Sequence, residues 1–476
     1  MRIALEGSSL SESSVVLDPL RVELGRRSRC RNQNLPNLKS LFRGGDPATS
    51  SDDSIDQSNS IAPKVSEKQS KYKRSKVKAV HTSNKASSTL QQVVIVEEHD
   101  LREEKTQRSQ AVWALEFSPD GKHLATAGQD GKIRIWRTLD ATERATSLTP
   151  SESPLFAKEP IKIFSDHTDE ITDLKWSKNN FIITASLDRT VRLWHVERNK
   201  CLAVFHPPDI VSSVAFHPTD DRFFLTGSLD KQISLWSIPD REVVYSRQMP
   251  DMVTAVSFSP EGTSCLAGCY NGKLVLCRTD RLKILKTAQV GSARKPKGTL
   301  KITGTTVVKR KDHPQPLVLV TSNSSRVRLY NLNDLSLERR LRGPRNDYSQ
   351  TAAAMSDDGD MIICGSEDHR TYFWHMNTQP EGLRRQVTQN EWVHSHHAAV
   401  SVAQFIPQSA LTLAGVQGRG FVAADSHGIV RVFLQWPERQ IAAQVKGHLL
   451  AAPIFVISYG RLMGRAAAHA LVLGLL

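Results

Sequence analysis

From about residue 90 to 437 the chain is a succession of short apolar and β-branched runs separated by Gly, Asp, Asn and Ser, a texture that predicts strands joined by tight turns. On either side the texture changes. Residues 1–88 are rich in Ser, Asn, Asp, Lys and Arg and hold no sustained period of 2 or 3.6. They bury too little apolar surface to offset the entropy of ordering, so a disordered basic segment is expected. Residues 438–476 are apolar, but Arg461, Arg465 and His469 break them before a span of about 20 apolar residues accumulates. A membrane-surface helix, an extra packed segment and sequence foreign to the rest are all open for that tail.

Inside the strand-rich region the pattern repeats. "TASLDRTVRLWHV" (Thr184 to Val196) has a near copy, "TGSLDKQISLWSI", beginning at Thr226. Aligned on the tryptophan, a turn residue stands six places before a bulky residue at Asp130 and Trp136, Asp188 and Trp194, Asp230 and Trp236, and Asp368 and Trp374. Weaker copies are Asn271 with Cys277, Ser324 with Tyr330, and His427 with Phe433. Each follows a second apolar run: "VWALEF", "ITDLKW", "VSSVAF", "VTAVSF", "LKITGT", "TAAAMS" and "VSVAQF". Successive anchors lie 41 to 59 residues apart, the period of a four-stranded unit with insertions in the longer intervals. One such unit cannot bury both its faces, whereas seven packed side by side around an axis can. The expectation is an all-β, seven-bladed propeller over residues 89–437, with "LQQVVIV" at Leu90 as the outer strand that completes the last blade.

The net charge of +14 favours contact with something acidic, whether nucleic acid, an anionic membrane or an acidic protein surface. "KYKRSKVK" (Lys71 to Lys78) reads as a nuclear-import, nucleic-acid or anionic-lipid signal, or as a solvated run of tail charge. Six dispersed cysteines, Cys30, Cys201, Cys265, Cys269, Cys277 and Cys364, and no apolar stretch after Met1 predict free thiols in a reducing intracellular compartment.

The repeats resemble the WD-repeat family. In that family a His before the first strand, a Ser on the second, an Asp in the next turn and a Trp on the third form a hydrogen-bonded tetrad. The resemblance places the full set at His167, Ser186, Asp188 and Trp194, with the Ser hydroxyl expected to accept the indole N–H and donate to the imidazole. Partial sets fall at Ser228, Asp230 and Trp236, at Ser366, Asp368 and Trp374, and at Asp130 and Trp136, where Gly128 replaces the Ser. Blade four has Cys269, Asn271 and Cys277, blade five has Ser324 for the Asp, and Pro344 stands where blade six would carry its His. These blades are expected to be less tightly pinned. His396 lies nine residues before Phe405, as His167 lies nine before Trp176, and is the expected counterpart in blade seven. Phrases such as "HTDEITDLKWSKNNFIITASLDRTVRLW" and "VTSNSSRVRLYNLNDLSLE" are similar to the group of WD repeat-containing protein 44 and the fungal deoxyglucose-resistance proteins. The resemblance implies a scaffold and, through the animal members, a Rab-family GTPase on recycling membranes as a partner. In those members the GTPase-binding portion lies largely outside the propeller.

Ser186, His167 and Asp188 could be read as a hydrolase triad, but their repetition as architecture argues against it. "HSHH" (His394 to His397) lacks the further ligands a zinc site needs, and Cys265, Cys269 and Cys277 read as buried strand residues. No nucleotide-binding or hydrolase motif occurs, and neither a cofactor, a metal nor a small-molecule substrate is expected. In six units a basic residue follows the turn between strands two and three: Lys132, Arg189, Lys231, Lys273, Arg326 and Arg370. Arg294, Lys295 and Lys297 of "GSARKPKGT" would join them on one rim. The insertions at 138–160 and 377–391 and "KRK" at Lys309 to Lys311 would project from the other. A basic rim recruits anions, so it is a candidate face for acidic peptides or an anionic membrane. The expected function is a non-catalytic, protein-binding scaffold in the cytoplasm or on endomembranes. A nuclear or nucleic-acid-associated adaptor is the alternative. A ubiquitin-ligase receptor is disfavoured because Trp194 and Trp236 lack the WDxR pattern.

Overall fold

A computed structural model of the chain describes residues 93–102, 110–145, 153–291, 300–310, 313–376 and 390–435. The segment 1–88 with its basic cluster, the tail 438–476, Arg294, Lys295 and Lys297, residues 146–152 of the first long insertion and 377–389 of the second lie outside the described residues.

Among the described residues, alternating apolar runs become 28 strands in seven four-stranded antiparallel sheets. A lone strand β1 (Val93–Asp100) comes first. Blade one is β2 (Val112–Phe117), β3 (His123–Gly128), β4 (Ile133–Arg137) and β5 (Lys162–Phe164). Blade two is β6 (Ile171–Trp176), β7 (Phe181–Ser186), β8 (Val191–His195) and β9 (Ala203–Phe205). Blade three is β10 (Val211–Phe216), β11 (Phe223–Ser228), β12 (Gln232–Ser237) and β13 (Glu242–Gln248). Blade four is β14 (Val253–Phe258), β15 (Ser264–Cys269), β16 (Lys273–Arg278) and β17 (Lys283–Gln289). Blade five is β18 (Ile302–Val308), β19 (Leu317–Ser322), β20 (Arg326–Asn331) and β21 (Leu337–Leu341). Blade six is β22 (Ala353–Met355), β23 (Met361–Gly365), β24 (Arg370–His375) and β25 (Asn390–His394). Blade seven is β26 (Val400–Phe405), β27 (Arg419–Asp425) and β28 (Ile429–Gln435), completed on its outer edge by β1, the strand expected to do so. The chain is thus a seven-bladed propeller.

Each blade buries one face against the next. Trp194 of blade two, fully buried, packs with Ala125, Ile133, Ile135 and Phe164 of blade one. Inner strands are covered on both faces, and all six residues of β10 are buried, whereas every residue of β13 at the periphery is exposed.

A device that the strand pattern does not reveal joins neighbouring blades. In six blades the register between the first two strands slips by one residue near the start of the first strand, leaving a bulge. The bulged position holds a hydroxyl in five of them: Thr172, Ser212, Thr254, Thr303 and Ser401. Thr172 Oγ1 donates across the gap to the Val211 carbonyl at 2.9 Å, Ser212 Oγ to Val253 at 2.6 Å, and Thr254 Oγ1 to Ile302 at 2.6 Å. Ser401 Oγ donates to the Val112 carbonyl, tying blade seven to blade one.

Candidate interaction face

The rigidity of any surface on this ring rests on how each blade holds its second and third strands together. In blade two the bonds run from Asp188 to His167 to Thr184 to Trp194. His167 Nδ1 is 2.7 Å from Asp188 Oδ2, its Nε2 is 2.8 Å from Thr184 Oγ1, and Trp194 Nε1 donates to that hydroxyl at 2.9 Å. Burial pushes the Asp188 carboxyl up, but the bonds from His167 and Thr190 outweigh it and hold the group well below the usual carboxylate range. Ser186 is outside this relay, which corrects the expectation. Its hydroxyl donates to the Asp169 carbonyl at 3.0 Å and accepts the Asp188 N–H at 3.1 Å. Register explains why. Trp194 lies opposite Ile182, so Thr184 is its diagonal neighbour on the same face, and Ser186 is a further two residues away.

The same threonine recurs. Trp136 donates to Thr126 at 3.1 Å and Trp236 to Thr226 at 3.0 Å, while Ser228 donates to the Ile210 carbonyl. Cys364 takes the threonine's place in blade six. There Trp374 donates to the Arg342 carbonyl at 3.1 Å, Asp368 accepts the Tyr372 hydroxyl at 2.7 Å, and Ser366 donates to the Arg345 carbonyl. Blade one has Gly128 at the serine's position. A Cβ there would stand 2.0 Å from the Ala111 carbonyl, so no serine fits, and Asp130 is held instead by Arg134 at 2.6 Å. Asp230 accepts the Gln232 N–H. His396 is fully buried against Phe433, which offers no donor, and Ala423 stands where the threonine would be. Burial pulls its imidazole down to about 3. His394 and His397 stay exposed beside it.

In six blades the residue after the second strand donates its N–H to the residue just before the first: Gln129 to Ala111, Leu187 to Glu170, Leu229 to Ile210, Tyr270 to Met252, Asn323 to Lys301 and Ser426 to Ala399; in blade six Glu367 donates instead to Arg345, well upstream of β22. These bonds set six equivalent pairs around one mouth of the ring, and their side chains are not alike. Blades two to four contribute Leu187, Ile210 and Leu229, which are buried, and half-buried Met252 and Tyr270, all clustering with Trp113; blade two also has the buried Glu170, and the remaining blades have polar residues or alanine. Lys301 lies buried at the border of this apolar sector, and burial alone pulls its ammonium down to about 7.

The basic residues after the turn do not form one uniform rim. Arg189 and Lys231 occupy the positive-φ position of their turns (62° and 70°) and are exposed. Lys132, Lys273, Arg326 and Arg370 come one place later, at or next to the start of the third strand, and are half-buried. Lys231 lies 3.5 Å from Asp251, and the Arg370 guanidinium sits 3.9 Å over Trp392 and 3.6 Å from Asp368. The exposed charges therefore flank the apolar sector.

Residues 101–137, 158–195, 199–237 and 336–375 match the family described as WD domain, G-beta repeat. The chain is 33% identical over 347 residues to WD repeat-containing protein 44 of Xenopus laevis, covering 63% of this chain and 38% of that protein. It is 29% identical over 330 residues to 2-deoxy-glucose resistant protein 2 of Saccharomyces cerevisiae, 55% of this chain and 39% of that one. A shorter match, 29% over 103 residues, reaches a component of Chromatin assembly factor 1 of Mus musculus, 21% of this chain and 18% of that one. The chain spans well under half the length of the first and second of these relatives. Four matched repeats, these relatives and the seven four-stranded sheets agree in making the chain similar to WD-repeat proteins, folded as a seven-bladed propeller.

Proposed function

We propose that the propeller is a non-catalytic scaffold that holds protein partners on the mouth bearing Trp113, Met252 and Tyr270. The observation that carries this reading is the asymmetry of that mouth. Blades two to four place larger apolar side chains at these positions than the others do, with Leu187, Ile210 and Leu229 buried beneath half-buried Met252, Tyr270 and Trp113, and exposed Arg189 and Lys231 stand on the turns of two of these blades. An apolar centre with a charged rim is the anatomy of a protein-binding patch, the rim favouring acidic partners. WD-repeat propellers are in general scaffolds without chemistry of their own. In keeping with that, the imidazole of His167 is committed to Thr184 and has no serine nucleophile.

The setting we favour is membrane traffic, with a small GTPase or an acidic membrane-associated protein as partner, because the similarity to WD repeat-containing protein 44 covers 63% of this chain. The chromatin reading rests on the shorter match to the Chromatin assembly factor 1 component. Affinity capture from cell extract with quantitative mass spectrometry, comparing the whole chain with a triple variant Arg189→Asp, Lys231→Asp, Tyr270→Ser, tests both points. Traffic proteins captured by the parent and lost from the variant are the expected result. Identical protein sets would overturn the face, and histones or their chaperones would move the partner to chromatin.

A further inference from the structure

Strands β20 and β21 of blade five bring together a group of charges that the repeat architecture does not require. Their register sets Val327 opposite Leu341 and Arg328 opposite Arg340. Continued by one residue, it sets Arg326 opposite Arg342, so with a period of two all four arginines share one face of the sheet. Two directly opposed like-charge pairs disfavour a sheet. Arg328 is also buried, at 6% exposure, and its guanidinium donates to Ser322 Oγ at 2.8 Å and Ser324 Oγ at 3.2 Å.

Of the equivalent arginines elsewhere, Arg134 pairs with Asp130 at 2.6 Å and Arg431 with Glu98 at 2.7 Å, while Arg192 of blade two donates to Thr190 Oγ1 at 3.3 Å and has no like charge set opposite it, its partner across the sheet being Val204. In blade five the Asp position is Ser324, and among the described residues no ion pair reaches Arg326, Arg328, Arg340 or Arg342. The nearby acids are engaged. Asp347 binds Arg345 at 2.9 Å and Ser325, Glu338 faces His313, and Glu367 accepts the N–H groups of residues 347 to 349. Burial, and then the charge of Arg342, pulls Arg326 down; burial, with Arg340 and Arg326 adding to it, does the same to Arg328. Arg340 and Arg342 are exposed and form the open side of the group.

We propose that this arginine quartet, with the hydroxyls of Ser322 and Ser324, is a docking site for a phosphorylated protein segment. A phosphate monoester carries about two charges and three acceptor oxygens. Guanidinium forks match those oxygens in pairs. One dianion set among four guanidinium groups would remove both like-charge clashes at once. The buried Arg328 lies behind the exposed pair on the wall of one blade, a shape suited to a phosphate on a narrow side-chain stalk and not to a flat bilayer. The site is separate from the apolar mouth, and either reading can fail without the other.

The test uses the whole chain and random-sequence peptides carrying one fixed phosphoserine, with the unphosphorylated library beside them. Retention at least about tenfold above the unphosphorylated library is expected, the scale of one charge-assisted hydrogen-bond pair. It should be competed by inorganic phosphate and lost in the double variant Arg340→Glu, Arg342→Glu, whose exposed positions leave the fold intact, as an unchanged circular dichroism spectrum and capture by the apolar mouth would verify. Equal retention of the two libraries, or retention that survives the double variant, overturns the proposal. Binding confined to vesicles containing phosphoinositide, without binding to phosphopeptides, overturns it too and assigns the quartet to a membrane.

Discussion

Thr184 is the hinge of blade two, because one hydroxyl serves both the indole of Trp194 and the imidazole of His167. Replacing it with Val keeps the shape and strands two buried polar groups, each costing about 1–3 kcal/mol. Thr184→Val should therefore destabilise by about 3 kcal/mol, and Ser186→Ala, which loses one bond to a carbonyl, by about 1 kcal/mol. Denaturant midpoints of the two variants check the order, and the reverse order would restore the serine to the relay. His396 has a different consequence. Its folded-state value of about 3 lies below the ordinary one near 6.5. The unfolded chain therefore takes up a proton that the native chain refuses. The contribution of the neutral ring is complete above about pH 6.5 and is lost as pH falls, by up to about 1.4 kcal/mol per unit. His396→Phe should flatten the fall in stability between pH 6 and 4, measured by urea melts across that range. Asp188 acts at lower pH. Its depressed value means that its contribution is present above the ordinary carboxylate range and is lost as pH drops below about 4.

Among the elements, strands and turns were legible where the pattern depends on sequence distance alone. The seven inner runs and the turn-to-tryptophan spacing can be read off the chain, and the inner strands fall on those runs, with β18 starting at Ile302, two residues into "LKITGT". What cannot be read depends on register. The six-residue spacing marks Ser186 and Asp188 together. Only the pairing of Ile182 with Trp194 shows that the indole reaches Thr184, although a Thr ten residues before a Trp occurs three times in the chain. The bulge hydroxyls escape for the same reason, since Thr172 and Ser212 look like ordinary strand residues until the ladder is seen to skip them. The arginine quartet is likewise hidden, because sequence position groups Arg326 with the turn residues of other blades and only strand pairing sets it among Arg340 and Arg342 across its own sheet. Blade five supplies the matching prediction. Ser324→Asp places a carboxylate four residues before Arg328, the arrangement that Asp130 and Arg134 have in blade one. It should raise stability by about 1 kcal/mol. It should also weaken phosphopeptide retention by supplying the anion internally. A thermal melt and the peptide assay read the two effects separately.

For the ring as a whole, the decisive contact is the one made last in space and first in sequence. β1 pairs with β28 from Val93–Gln435 to Asp100–Ile429, and its side chains lock the closure. Glu97 accepts the N–H groups of Leu155 and Phe156 in blade one, Glu98 binds Arg431 at 2.7 Å, and His99 lies 4.3 Å from Trp136. One strand thus completes blade seven and clamps blade seven to blade one. Without it β28 becomes an open edge, and Val400, Phe421 and Phe433 lose part of the cover over their cluster. In an open solenoid the loss of a terminal strand costs one repeat, because each repeat contacts only its neighbours. Here the two ends of the array are neighbours through Ser401 and Val112, so the cost spreads around the ring. A chain beginning at Leu101 should unfold in a single cooperative transition with its melting temperature lowered by more than about 5 °C, the shift that a few kcal/mol gives in a domain of this size. A synthetic peptide spanning 93–100 should restore part of that loss in proportion to its concentration, as ligand-linked stability requires. A truncated chain that kept its melting temperature, or that lost only a minor early transition, would show that blade seven is closed by its own three strands and that the ring holds without the clamp.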